Sequence, residues 1–347
     1  MKKFIFFRND RLGDFIILTN IIKSIKKKYK DSHITILCSP LNYHLVKKYK
    51  IIDRVYIYSK QISFLKKISL LNKIINNNYY ASFAVDGKSF SNLCNFLIKA
   101  KYKLGLVYRY KLLNFWLSKP NFLYNYFIFN KFETFTSKKD LEKIEHLPTK
   151  LINLANFFKL NLKPKDKYFF KIDSKEELKF KKYYSKYIRK KYILFHLDEK
   201  WNDLDSVKSK LFLNLSNLQK KIKKKIVITS FNNNFIYFNN LKKNILKLKS
   251  NKDFLLIQNS NLFLFERLIK HSICSISCHS GFLVQIAGTN SAKLIDIINK
   301  NDYKWYSCWK PKNTIHQFIF KSDSKKKFPI NKIFENLSSK IKKIKNS

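Results

Sequence analysis

The chain has 347 residues, enough for two domains that each bury a core. Lys plus Arg number 71 against 23 Asp plus Glu, a formal charge of +48, while the hydrophobic share of 45% is ordinary for a globular protein. Five scattered cysteines exclude a disulfide framework, and no apolar run reaches the ~20 residues of a membrane span.

The first apolar run, Phe4–Phe7, reads as a strand. It begins like a signal peptide but stops at Arg8-Asn-Asp-Arg11, too short for an h-region of about 7–15 residues. A helix follows with Leu18, Ile21, Ile22 and Ile25 on one face and Lys23, Lys26 and Lys27 off it. Strands are expected at His33–Cys38, Arg54–Tyr58, Ser82–Val85 and Lys103–Val107. Helices are expected at Leu41–Lys48, Ile62–Ile75 and Asn92–Lys99. The segment Tyr108–Phe135 breaks this alternation. Its Tyr, Asn, Lys and other aromatic residues fit an irregular core excursion or an interfacial surface. A helix at His146–Leu160 closes the first unit, and the lysine-rich Asn161–Lys191 reads as a boundary carrying one charged helix.

Alternation resumes with strands at Tyr192–His196, Ile226–Thr229, Asp253–Ile257, Ser272–Ser277 and Lys293–Ile298. Helices are expected near Leu211–Ile222, Phe263–His271 and Gly281–Ala287. A final helix places Ile330, Ile333, Phe334, Leu337, Ile341 and Ile344 on one face. The pattern is α/β, with two doubly wound Rossmann-like domains at 1–165 and 166–347.

In open parallel sheets, ligands sit beyond the carboxyl ends of the strands. That rule selects Arg8–Asp14, Asp86–Ser89, His196–Trp201, Thr229–Asn234 and His279–Gly281. In the first loop, Gly13 permits a tight turn and Asp14 falls at a helix start. There Asp14 reads either as a capping carboxylate or as a general base flanked by Arg8 and Arg11. A dinucleotide cofactor is not expected, because no GxGxxG is present. In the third loop, Lys200 and Trp201 read as a diphosphate partner with an aromatic wall, or as a solvated loop. His279-Ser280-Gly281 opens a helix whose free N–H groups suit phosphate, and is otherwise a plain strand-to-helix turn. Cys274, Cys278 and His279 have the spacing of half a metal site. No second half follows, so free thiols are expected.

These loops carry a family resemblance. Arg8-x-Asp10-Arg11-Leu12-Gly13-Asp14 followed by an apolar helix resembles the opening motif of glycosyltransferase family 9, the lipopolysaccharide heptosyltransferases and their relatives. Tyr80–Ser89, with Asp86, Gly87, Lys88 and Ser89, is similar to that family's second characteristic loop, and His146–Leu160 to its mid-chain helix. Lys200-Trp201 is similar to its lysine-x-tryptophan motif, one residue shorter. His279-Ser280-Gly281 stands where the family usually has Asp-Thr-Gly, and Val284 where it has a His. Ile295–Trp309 is similar to the tail of a branch with a His-Gly motif.

The resemblance implies a GT-B fold, with two Rossmann-like domains facing across a cleft. It implies an inverting, metal-independent transferase that moves a sugar, heptose or related, from a nucleotide-sugar to a lipopolysaccharide-core or similar glycolipid. Asp14 is then the base. His196, Lys200, Trp201, His279, Ser280 and Gly281 bind the donor, with Lys200 on its diphosphate. Arg8, Arg11, Gly13, Lys88 and Arg109 face the acceptor. The changes at His279 and Val284 leave ADP-heptose as one donor among several. The basic surface fits peripheral placement on the inner face of the cytoplasmic membrane. The rival from composition is a nucleic-acid- or membrane-binding protein without catalysis. It has aromatics and basics interleaved at Tyr108–Lys131 but no nucleic-acid motif.

Overall fold

The computed structural model describes every residue except 114, 121, 171–173, 189–190, 205–206, 232–234, 249–250, 260, 324–326 and 347. The chain divides into two compact units. One is Met1–Phe169 with Ser307–Trp309, and the other is Phe170–Tyr306 with Lys310–Ser347.

The first unit runs β1 (Lys3–Arg8), α1 (Leu12–Lys28), β2 (His33–Cys38), α2 (Pro40–Val46), β3 (Arg54–Ile57), α3 (Phe64–Ile75), β4 (Asn78–Ala84), α4 (Ser89–Leu97), β5 (Lys99–Leu112), β6 (Phe115–Lys119), α5 (Phe122–Ile128), β7 (Lys131–Thr136) and α6 (Leu147–Ala155). Its sheet has the order β3-β2-β1-β4-β5-β6, with β7 also on β5. Among the described strand pairs of this sheet, only β5–β6 is antiparallel. Phe4–Phe7 of β1 have no exposed surface. A central parallel strand is covered on both faces, which is why it reads as an unbroken apolar run. The helices α3, α4 and α5 pack on one face of this sheet, over a cluster that includes Ile5, Phe7, Ile74, Cys94 and Phe129.

The second unit runs α7 (Ser174–Ile188), β8 (Ile193–His196), α8 (Val207–Ile222), β9 (Ile226–Ser230), α9 (Phe238–Leu246), β10 (Phe254–Gln258), α10 (Leu262–His271), β11 (Cys274–Ser277), α11 (Gly281–Asn290), β12 (Leu294–Asn299), α12 (Tyr303–Ser307), β13 (His316–Ser322) and α13 (Ile330–Asn346). Its six strands are all parallel, in the order β10-β9-β8-β11-β12-β13. The six apolar residues named for the last helix are all buried.

Strand order reverses between β1 and β4 in one unit and between β8 and β11 in the other. These are the switch points, where adjacent loops leave in opposite directions and open a crevice. The main departure from the sequence expectation is Tyr108–Phe135. It is neither a simple excursion nor one surface, but the end of β5 followed by β6, α5 and β7. The structure adds helix α9, which buries Phe238, Leu241 and Ile245, and strand β13 to the expected elements.

Candidate functional site

In the first unit, Arg8 ends β1 and is fully buried. A buried guanidinium is costly unless every donor is occupied. Its Nε donates to the Asp14 carbonyl at 3.2 Å and lies 3.3 Å from Asp10 Oδ1. Its Nη2 lies 3.3 Å from Asp14 Oδ1, and its Nη1 donates to the Val85 carbonyl at the end of β4. Burial lowers the Arg8 pKa, and Asp10 and Asp14 more than reverse that, so it stays charged. This corrects the expectation that Arg8 meets an acceptor: it has no surface to offer and instead positions the carboxylates.

Asp14 is the third residue of α1. Its Oδ2 accepts from the Arg11 N–H at 3.3 Å, which makes it a capping group, and its side chain keeps 18% of its surface open. Arg11 is exposed at the N-cap and Gly13 is buried in the first turn.

The loop after β4 is laced to the same point. The Asp86 carboxylate accepts from Asn9 N–H at 3.0 Å, Lys88 N–H at 3.0 Å and Ser91 Oγ at 2.6 Å. Burial raises its pKa, and those donors oppose the rise. Lys88 Nζ donates to the Asn9 carbonyl. Gly87 has φ +64°, and a Cβ there would lie 2.3 Å from Cδ2 of Tyr108. Glycine is needed twice over, for the left-handed backbone and for the close approach. Arg109 follows Tyr108 on β5, half-buried, with its guanidinium 5.5 Å from the Trp116 ring centroid. Thus Arg11, Lys88 and Asp14 gather at the ends of β1 and β4, and Arg109 stands one residue beyond Tyr108.

In the second unit, His196 ends β8 and Trp201 follows within one short turn. Trp201 has no exposed surface, and its Nε1 donates to the His196 carbonyl at 2.9 Å. The sequence reading offered it as a wall for a base or sugar; it is a core residue packed on Phe195. His196 is corrected likewise. It is 2% exposed, its Nδ1 is 3.1 Å from Thr229 Oγ1, and Phe231 and Phe265 surround its ring. Burial holds its pKa down to about 3, so the ring is neutral. Of the selected Thr229–Asn234 loop, 232–234 lie outside the described residues.

Lys200, Ser280 and Gly281 do come together. Lys200 Nζ donates to the His279 carbonyl at 2.6 Å, directly before α11. Ser280 is the N-cap of α11 and makes no side-chain cap bond; its own N–H goes to Ser277 Oγ at 3.2 Å. The first amides of a helix have no intrahelical acceptor. A Cβ built on Gly281 meets nothing within 4 Å, so the space beside the first turn of α11 at Gly281 is open.

His279 stands in a left-handed conformation, φ +59°, which is strained for a residue with a side chain. Its ring stacks on Tyr306 with centroids 3.5 Å apart, and its Nδ1 is 2.8 Å from Asp296 Oδ2. His316 Nε2 reaches the same oxygen at 3.0 Å, and Ser277 Oγ donates to Oδ1 at 2.9 Å. Burial would raise the Asp296 pKa, but the two imidazoles hold it well below the usual carboxylate range. Burial lowers the pKa of His279, against the pull of Asp296.

Asp198 stands in the selected His196–Trp201 loop, its Oδ1 accepting from the Lys200 N–H at 3.2 Å, but was not named. Sequence reasoning also missed Asp296, His316 and Tyr306 as partners of His279. Asp296 and Tyr306 lie within the Ile295–Trp309 tail, but nothing in its spacing ties them to His279. They and His316 come from β12, α12 and β13, brought in by sheet order. All five cysteines are buried free thiols, Cys274 and Cys278 among them.

No family model matches the sequence, and no curated protein matches it. Solved structures do. A glycosyltransferase family 9 protein from Veillonella parvula superposes with a TM-score of 0.63 at 13% identity, covering 92% of this chain and 86% of that one. The E. coli heptosyltransferase WaaC with ADP gives 0.64 at 11%, covering 99% and 100%. A UDP-GlcNAc 2-epimerase from Methanocaldococcus jannaschii gives 0.56 at 12%, covering 100% and 93%. The chain therefore has the two-unit α/β fold of these proteins.

Proposed function

We propose that this chain is a glycosyltransferase of the family 9 type, moving a sugar from a nucleotide-sugar to a glycolipid acceptor. The observation that carries the proposal is the start of α11: uncapped, with open space above Gly281 and the Lys200 ammonium at the preceding carbonyl. It lies at the switch point of its sheet, where an open α/β unit receives a ligand. Helix amides and a lysine suit a diphosphate. The E. coli neighbour holds ADP, and the sequence motifs at Arg8–Asp14 and Lys200-Trp201 resemble its family's.

In this reading, Asp14 takes the proton from an acceptor hydroxyl, with Arg8 and the Arg11 N–H fixing its orientation. The hydroxyl oxygen bonds to the anomeric carbon as the bond to the diphosphate oxygen breaks on the opposite face, inverting the centre. The proton remains on Asp14, and the charge gained by the diphosphate meets Lys200 and the α11 amides. That positive charge lets the reaction proceed without a metal. The acceptor side is Arg11, Gly13, Lys88 and Arg109. The donor is ADP-heptose or a related sugar nucleotide, and the acceptor a lipopolysaccharide-core or similar lipid at the inner face of the cytoplasmic membrane. Among the described residues, no helix is long and apolar enough to cross a membrane.

The test has two arms. Isothermal titration with nucleoside diphosphates should show specific binding that Lys200→Ala removes. Binding only to polyanions, with a steep salt dependence, would overturn the proposal in favour of a non-catalytic basic protein. A screen of sugar nucleotides with extracted glycolipid should then give transfer. Isomerisation of the sugar without any acceptor would point to the epimerase chemistry of the same fold.

A further inference from the structure

The outward surface of the first unit carries an unusual combination. More than half of the large exposed hydrophobic side chains among the described residues fall between Phe64 and Phe127. They lie on the free sides of α3, α4 and α5 and along the β5–β6 hairpin, where Leu113 is 84% exposed, Phe115 75% and Phe127 79%. The three helices share one layer, and α5 is tied to the hairpin strand beside it. The helices cover the same face of the sheet, Tyr124 of α5 donates its hydroxyl to the Asn92 carbonyl at 2.7 Å, and its ring lies 5.9 Å from Phe96 of α4. Asn125 Nδ2 ties α5 to the hairpin through Ser118 Oγ at 3.1 Å.

Charge on this segment is one-sided. From Arg54 to Phe132 there are thirteen Lys and Arg and a single acid, Asp86, which is buried at the strand ends. Around Trp116 the basic groups sit against the ring: Lys111 Nζ is 4.9 Å from its centroid and the Arg109 guanidinium 5.5 Å. Exposed apolar side chains alone are compatible with many partners. Glu142 pairs with Lys111 at 2.8 Å and Asp140 accepts from its N–H at 3.0 Å, so the surround is predominantly rather than purely basic. Apolar tips in such a surround fit an anionic bilayer interface, where aromatics sit at headgroup depth and lysines meet phosphates.

We infer that the hairpin and the α3–α4–α5 layer form the docking face for an anionic membrane surface. Geometry links this face to the candidate site. Ala84 at the end of β4 pairs with Gly105, yet β5 continues seven residues further to Leu112. At strand rise the hairpin tip stands about 23 Å beyond the end of β4 and about 10 Å beyond the last β5–β7 pair, Arg109 with Thr136. A bilayer meeting the tip would face the edge that carries Asp14 and Lys88. The inference rests on the proposed glycolipid acceptor for its purpose, and on the surface itself for its evidence.

Co-sedimentation of the full chain with phosphatidylcholine vesicles, with and without phosphatidylglycerol, tests it. Binding should require phosphatidylglycerol. Leu113→Glu with Phe115→Glu, and separately Phe127→Glu, should each weaken it roughly tenfold. Leu213→Glu, exposed on α8 of the other unit, should leave it unchanged. All four positions are exposed, so melting temperatures should hold. As a check on the native fold, vesicles should blue-shift the emission of the native protein but not of Trp116→Phe. Native-like binding by the hairpin variants, equal binding to neutral vesicles, or self-association that the same variants abolish would each overturn the inference. Nucleoside diphosphate titration separates the two readings. Loss of vesicle binding with nucleotide binding intact sinks only the docking face. Vesicle binding without nucleotide binding sinks only the transferase.

Discussion

The Asp14 carboxylate is held by an ion pair with the Arg8 guanidinium at 3.3 Å and a hydrogen bond from the Arg11 backbone N–H at 3.3 Å, with one side left open. That arrangement makes capping and base chemistry compatible in one group. Asp14→Asn keeps a capping oxygen but cannot take a proton. It should lower transfer by about 10²–10⁴-fold while melting temperature and donor affinity stay near native; near-normal turnover would sink the assignment. Arg8→Met is the contrasting case. It leaves Asp10 and Asp14 without their buried cation and should cost about 3–5 kcal/mol of stability in denaturant titration. In the second unit, burial pushes the Asp198 carboxyl up to about 7 from an ordinary 3.8, against the pull of Lys200. Between those values the folded state holds a proton that the unfolded state has lost, so stability falls as pH rises through the window and levels off above it. Asp198→Asn should flatten that slope in melts recorded across the window. It should also remove the weakening of diphosphate binding expected above about pH 7, where an ionised Asp198 repels the ligand.

At the scale of elements, two glycines at strand-to-helix loops have opposite roles. Gly87 is required by the fold, since its φ is +64° and Tyr108 fills the space of a side chain. Gly281 has open space in front of it. Gly87→Ala should therefore destabilise the first unit by about 1–3 kcal/mol, read in thermal or denaturant unfolding. Gly281→Val should leave stability nearly unchanged and weaken nucleoside diphosphate binding by blocking approach to the α11 amides, read by titration calorimetry. Tight diphosphate binding by Gly281→Val would remove the helix start from the site. The segment that defied periodicity is explained at this scale as well. The β5 strand changes partners midway, from β4 to β6 and β7. A strand that is part core and part hairpin shows no single period, so Tyr108–Phe135 read as irregular.

For the whole molecule, a charge of +48 is far more than two small ligand loops need. It should give non-specific attraction to any polyanion, with an affinity that falls steeply with salt. Binding of a nucleoside diphosphate to Lys200 and the α11 amides involves few charges and should fall far less. Titrating a nucleoside diphosphate and a DNA duplex over the same salt series separates the two. Equal slopes would mean that the nucleotide is held by the general field alone. A slope for the diphosphate that is shallow, and shallow only in the presence of Lys200, assigns it to the loop.

Strand–helix alternation, the final amphipathic helix and the loops after β1, β4, β8 and β11 were legible in the sequence, because buried parallel strands and amphipathic helices are written in local periodicity. So was the gathering of Lys200, Ser280 and Gly281, through the rule that ligands meet strand ends. Tertiary structure alone decided which residues in those loops face outward. Arg8, His196 and Trp201 have suitable chemistry, yet each is buried against neighbours distant in sequence: Val85 for Arg8, Thr229 for His196 and Phe334 by way of Phe195 for Trp201. The Asp296 cluster was equally hidden, since His279, His316 and Tyr306 meet only once β11, β12 and β13 are placed side by side. Local pattern fixes an element and its end; exposure depends on what the rest of the chain packs against it.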